Sequence, residues 1–163
     1  MGGCSEPPPF PVHTTEAPST SVVASPLDLH ARDACSTLLP SAIIRLRLKP
    51  APFFHDTGAS STTCTWESTD ETFDLTLVTN HGVGLELVDQ LGGVLTAREP
   101  LSVDGYPAMR IDTADSPTCR VVVGVADTQA FSAGASMLAS TAPPLCDLAL
   151  ALAEETVAAL RGS

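Results

Sequence analysis

The sequence predicts an α+β fold: an antiparallel sheet of about five or six strands, packed against N- and C-terminal helices and stapled by two disulfides. Three observations predict it. Segments of two-residue alternation rich in Val, Thr and Leu recur from Thr62 to Ala133, with turn residues between them. Segments of helical spacing flank them, near Cys35 and from Cys146 to Leu160. Four cysteines, Cys35, Cys64, Cys119 and Cys146, fall in both kinds of segment, and none forms a Cys-x-x-Cys pair.

The 163 residues fit one domain and a tail, and a hydrophobic fraction of 44% supplies a core. Aromatic residues are only 4%, so Ala, Val and Leu must fill it. The net charge of -11 argues against a nucleic-acid partner and against electrostatic docking on anionic lipid. No apolar run is long enough to span a bilayer. Four widely spaced cysteines in a small acidic domain fit two disulfides and an oxidising compartment, the alternative being buried thiols in the cytosol.

Residues 1–31 read as a disordered tether and residues 32–163 as the single domain. The tether is rich in Pro, Ser and Thr, with Pro7-Pro8-Pro9 and Pro11, and so favours extended conformations with little to bury. Gly2-Gly3-Cys4-Ser5 looks like the end of a bacterial lipobox, which makes Cys4 the expected lipidation site, with palmitate among the acyl groups. Met1-Gly2-Gly3 supplies no signal segment, so this reading expects one encoded upstream. The alternatives are that Cys4 is an ordinary thiol, or that Gly2 is myristoylated, a pattern that wants Ser or Thr where Glu6 stands.

Within the domain, Asp33 is an N-cap for a short helix over Ala34–Leu38, with Cys35, Leu38 and Leu39 on one face. Pro40 opens a second helix through Ile44. Ile44, Leu46 and Leu48 then alternate with Arg45, Arg47 and Lys49, either as a solvated basic face or as a partner-binding stripe. Residues 50–61 read as loop. Strands are expected at Thr62–Trp66, with Cys64 and Trp66 on one face, and at Phe73–Thr79, with Phe73, Leu75 and Leu77 inward. Leu85, Val88 and Leu91 suggest a helix closed by Gly92-Gly93. Ala97–Val103 and Tyr106–Asp112 flank Asp104-Gly105, a hairpin turn. Thr118–Val125 is the most strand-like stretch and is expected inside the sheet, with Cys119, Val121, Val123 and Val125 on one face and Arg120 on the other. A further strand covers Thr128–Ala133. In the last helix Cys146, Leu150, Ala153, Val157 and Leu160 form one apolar stripe.

Pairing the cysteines like with like gives Cys64–Cys119 across the sheet and Cys35–Cys146 between the terminal helices. Loop closure would then contribute roughly 4–5 kcal/mol for each.

Five motifs in order resemble one family of actinobacterial cell-envelope lipoproteins, known only as a domain of unknown function. They are Asp33-Ala-Cys35-Ser-Thr-Leu38-Leu39, Cys64-Thr-Trp66, Gly105-Tyr106-Pro107-Ala108, Cys119-Arg-Val-Val-Val123 and Pro144-Leu-Cys146-Asp147-Leu-Ala149. The resemblance runs from about Asp33 to Leu160. It implies a signal peptide, lipidation at Cys4 and an α+β fold, and it brings no catalytic residue and no ligand.

One motif points elsewhere. Asp56-Thr57-Gly58-Ala59-Ser60 resembles the active-site loop of aspartic proteases. That chemistry needs two such Asp sharing a proton, so a single copy would act only as a homodimer. Against it, His55 stands where that family has an apolar residue. The sequence holds no Gly-x-Ser-x-Gly elbow and no phosphate-binding glycine loop, and His13, His30, His55 and His81 lack metal-ligand spacing. No cofactor and no metal are therefore expected. The expected function is that of a secreted envelope lipoprotein of non-enzymatic binding type. It would meet the membrane only through its lipid anchor, and its partner would be an envelope protein or an apolar ligand. The alternatives are the dimeric aspartic protease using Asp56 and a carrier of a small apolar ligand.

Overall fold

The computed structural model describes residues 25–87, 97–112 and 117–162. Asp33 caps helix α1 (Ala34–Thr37) by accepting from the Cys35 N–H at 2.8 Å. Leu39, preceding a proline, is extended, and Pro40 begins helix α2 (Pro40–Arg45). The chain then turns at Arg47, whose φ is 57°, so the alternation beyond Ile44 is a helix end followed by a left-handed turn. Leu46 and Leu48 are buried by that turn.

Seven strands follow: β1 (Phe54–Thr57), β2 (Ser61–Glu67), β3 (Phe73–Asn80), β4 (Ala97–Val103), β5 (Tyr106–Asp112), β6 (Thr118–Ala126) and β7 (Gln129–Met137). They form one antiparallel sheet in the order β1-β2-β3-β7-β6-β5-β4. Two meanders thus meet where β3 pairs with β7. The strand beyond the expected five or six is β1, in the segment read as loop. Pro50 and Pro52 suggested a loop, but both precede the strand, and an edge strand tolerates such neighbours. Asp104 and Gly105, at φ 50° and 87°, make the tight turn between β4 and β5.

Helix α3 (Leu145–Arg161) packs on β6 and β7. Its buried side is Ala149, Leu152, Ala153, Thr156, Val157, Ala159 and Leu160. The expected stripe therefore holds at Ala153, Val157 and Leu160, while Cys146 and Leu150 lie at its margin. Small Ala149 and Ala153 let the helix approach the sheet closely. The Thr156 hydroxyl satisfies itself on the Leu152 carbonyl at 2.8 Å. Trp66, Phe73, Leu75, Leu77, Phe131, Val121 and Val123 face this helix layer in the core.

The folded unit begins before residue 32. A 3-10 turn at Leu29–Ala31 places Leu29 in the core at 1% exposure, and the Leu27 N–H donates to the Val125 carbonyl at 3.1 Å. Composition assigned this stretch to the tether; one buried leucine and one strand-edge hydrogen bond bring it into the domain. The helix expected around Leu85, Val88 and Leu91 lies largely outside the described residues, as do Cys4 and the tether through residue 24.

The disulfides are Cys35–Cys64 and Cys119–Cys146, which corrects the pairings Cys64–Cys119 and Cys35–Cys146. Strand order supplies the reason. Cys64 on β2 and Cys119 on β6 share a face but are separated by β3 and β7. Three strand spacings amount to roughly 14 Å, while a disulfide needs Cα atoms no more than about 7 Å apart. Each helix instead is bonded to the strand beneath it, with Cα–Cα distances of 5.1 Å in both pairs.

Candidate functional site

The most exposed ordered feature of the sheet is its β1 edge. All four β1 residues are exposed, and no described strand pairs with its outer side. His55 lies opposite Cys64 and so faces the helix side, while Phe54 and Asp56 lie opposite Thr65 and Thr63 on the other face. Phe53 and Phe54 are 62% and 49% exposed. The far edge is different: β4 carries Arg98, Glu99 and Pro100, charges and a proline that discourage strand addition. β1 carries one charge, Asp56, and no proline.

Asp33 ties this edge to α1. Its Oδ1 accepts from the Cys35 N–H, and its Oδ2 lies 2.9 Å from His55 Nε2. The Thr57 hydroxyl is 3.3 Å from the same ring nitrogen. Beneath them Cys64 is fully buried and bonded to Cys35. β1 is thus held in place by one hydrogen-bonded ladder, one carboxylate and one disulfide.

Asp56 sits within β1, and its Asp-Thr-Gly continues into a hairpin closed by the Gly58 N–H on the Ser61 carbonyl at 2.8 Å. The motif therefore serves here as strand and turn, on an exposed edge.

Among the described residues, two clusters bring potential metal donors within 4.8 Å of one another: Asp33, Cys35 and His55, and Asp112, Cys119 and Cys146. In both, every cysteine is locked in a disulfide and has no thiolate to offer. That leaves two donors in the first cluster and one in the second, too few for a metal centre. Asp112 was not singled out by sequence reasoning. The signal for it was register: in a β5–β6 hairpin pairing symmetrically about its loop, Asp112 falls opposite Cys119, as it does here.

The basic residues at the end of α2 and just after it are paired within the chain. Arg45 reaches Glu155 at 2.7 Å, Arg47 meets Asp70, and Lys49 lies 3.3 and 2.9 Å from Glu67 and Glu71. Hydrogen bonding from Arg45 holds the Glu155 carboxyl below the usual range. These pairs make a solvated, internally neutralised face. Arg120 is exposed on the sheet face away from the helices. Trp66, at 1% exposure, is core rather than a stacking platform.

At the opposite end of the sheet, His30 stacks on His81 with ring centroids 4.2 Å apart. Burial, and then the neighbouring His30, push the His81 imidazole down, against the pull of Asp28. Its Nδ1 is buried with no hydrogen-bond partner among the described residues. Nearby, a cleft of about 570 Å³ opens between the 25–31 segment and the end of α3, lined by Leu27, Asp28, Tyr106, Leu160 and Arg161 among others. The Tyr106 hydroxyl donates to the Ser25 carbonyl at 2.7 Å, and Arg161 lies 5.3 Å from the Tyr106 ring centroid.

The DUF3558 family profile, described as a protein of unknown function, matches residues 1–159, and the chain belongs to that family. Neither the curated proteins nor the solved structures include a match.

Proposed function

For this DUF3558-family chain, we propose the role of an extracytoplasmic, lipid-anchored envelope protein that binds a partner protein and performs no catalysis. The β1 edge carries this reading. An unpaired strand offers N–H and C=O groups to an extended segment, and the flanking phenylalanines offer apolar contacts for alternate side chains. The occupant is an extended strand of another protein, added antiparallel to β1. The chain's net charge of -11, with Asp56 exposed on the strand itself, favours a partner segment bearing Lys or Arg. Two disulfides support an oxidising compartment, and Cys4 at the head of the Pro-rich segment supports an acyl anchor and a tether.

The binding part is tested by placing a photo-crosslinking amino acid at Phe54 or at Glu99 in cells that naturally make the protein. A discrete adduct at position 54, absent at 99 and lost when His55→Pro blocks the strand edge, is the expected result. Equal adducts at both edges, or none at 54, would contradict it. The anchor is tested by acyl labelling, which Cys4→Ala must abolish.

A further inference from the structure

The two disulfides are alike in exposure. Each joins a buried cysteine, Cys64 or Cys119, to a partly buried one, Cys35 or Cys146. Their chemical surroundings differ. At Cys35–Cys64 both carboxylate oxygens of Asp33 are engaged, one by a backbone N–H and the other by His55. At Cys119–Cys146, Asp112 Oδ1 faces the sulfurs directly, 3.0 Å from Cys119 Sγ and 2.8 Å from Cys146 Sγ. Its Oδ2 is turned to Arg110 Nε at 3.5 Å. Disulfide sulfurs carry no proton, so neither sulfur donates to this oxygen while the bond is closed. Once the bond opens, it is within hydrogen-bonding reach of either thiol.

A second observation separates the pairs. Cys146 lies in the first turn of the 17-residue α3, where unpaired N–H groups and the helix dipole favour a thiolate. Cys35 lies in a helix of 4 residues. The bond to Cys146 is also not what holds α3 down, because Ala149, Leu152, Ala153, Val157 and Leu160 bury the same helix against the sheet.

We propose that Cys119–Cys146 is a thiol–disulfide exchange site, with Asp112 as its proton acceptor and donor, while Cys35–Cys64 is structural. Its co-reactant is a dithiol, or in the reverse direction a disulfide, of a small molecule or an oxidoreductase. In opening, the reductant's thiolate attacks the Sγ of Cys146, the less buried cysteine of the pair. The S–S bond breaks, and its electron pair goes to Cys119 Sγ, which takes a proton from solvent through Asp112 Oδ1. The reductant's second thiol loses its proton and attacks the mixed disulfide, leaving as an oxidised disulfide and releasing the Cys146 thiolate. In closing, Cys146 thiolate attacks the external disulfide and expels one thiolate. Cys119 then passes its proton to Asp112 and displaces the second thiolate from Cys146. This proposal does not depend on the β1 edge, and its test does not involve a binding partner.

The full chain is treated with dithiothreitol, quenched with an alkylating agent over time and mapped by peptide mass; the opened protein is then returned to glutathione disulfide. Cys119–Cys146 is expected to open about tenfold or more faster than Cys35–Cys64, with the sheet's circular dichroism retained, and to reclose. Asp112→Asn is expected to slow the reclosure by at least about a hundredfold, the low end of general-base effects. If Cys35–Cys64 opens first, if both open together, or if Asp112→Asn speeds exchange by lifting a negative charge from the incoming thiolate, the proposal is overturned. The order of opening needs no variant, so the test survives if Asp112→Asn fails to fold.

Discussion

Replacing Cys35 and Cys64 together by alanine leaves the other disulfide in place and removes one cross-link spanning 29 residues. Loop-closure entropy for a loop of that length gives about 3.6 kcal/mol at 25 °C. Cys64 is fully buried beside Trp66, Leu75 and Leu77, so its lost sulfur leaves a small void costing roughly 1 kcal/mol more. The expected loss is therefore about 4–5 kcal/mol, a large share of the roughly 5–15 kcal/mol that stabilises a typical domain. Urea unfolding followed by the fluorescence of Trp66, the single tryptophan, measures it. Because the stabilisation acts on the unfolded chain, the denaturant slope should also rise, as the uncrosslinked chain exposes more surface. A loss below about 1.5 kcal/mol, with an unchanged slope, would refute the reasoning: α1 would then be held by its cap and packing alone.

Leu152→Ala removes a fully buried side chain where α3 meets the sheet and should cost about 2–5 kcal/mol by the same unfolding assay. Gly84→Ala would put a Cβ 2.2 Å from the Asp127 carbonyl oxygen, forcing the segment after β3 away from the β6–β7 turn; a loss of about 1–3 kcal/mol is expected, read as a lower Tm. The folded protein holds the His81 imidazole below its ordinary value, chiefly by burial. The unfolded chain therefore takes up a proton at His81 first as pH falls below about 6.5. That contribution to stability is present above this value and is lost on acidification toward the folded value. Tm measured at pH 7.5 and 5.5 should fall less in His81→Asn than in the unsubstituted chain, and an equal fall in both would contradict the assignment.

Much of the fold was legible because its signals are local. Alternation marked β2 to β7, Asp104-Gly105 marked a hairpin, and Asp33 and Pro40 marked two helix starts that the structure keeps. β6 is an inner strand, as its valines indicated, with Cys119 in the core at 2% exposure. The disulfide pairing was not legible because it depends on strand order. Both Cys64 and Cys119 point to one face, but only the return of β7 to pair with β3 shows that two strands lie between them. β1 was hidden by the prolines before it and by exposure on both faces, which leaves no burial pattern to read. Leu29 was hidden by its neighbours, since composition averaged over a Pro- and Ser-rich stretch cannot register one docked side chain. The candidate site fared similarly. Asp56 drew notice through a motif, whereas the exposed Phe53 and Phe54 and the sulfur-facing Asp112 acquire meaning only from sheet edge and register.

The most direct measurement is peptide mapping of the protein taken from the membrane fraction of its native cells, with free thiols alkylated at lysis and no reductant added. Two linked peptide pairs are expected, Cys35 with Cys64 and Cys119 with Cys146, together with an N-terminal peptide beginning at an acylated Cys4. Alkylated rather than linked domain cysteines, with an N-terminal peptide that carries no acyl group, would contradict it.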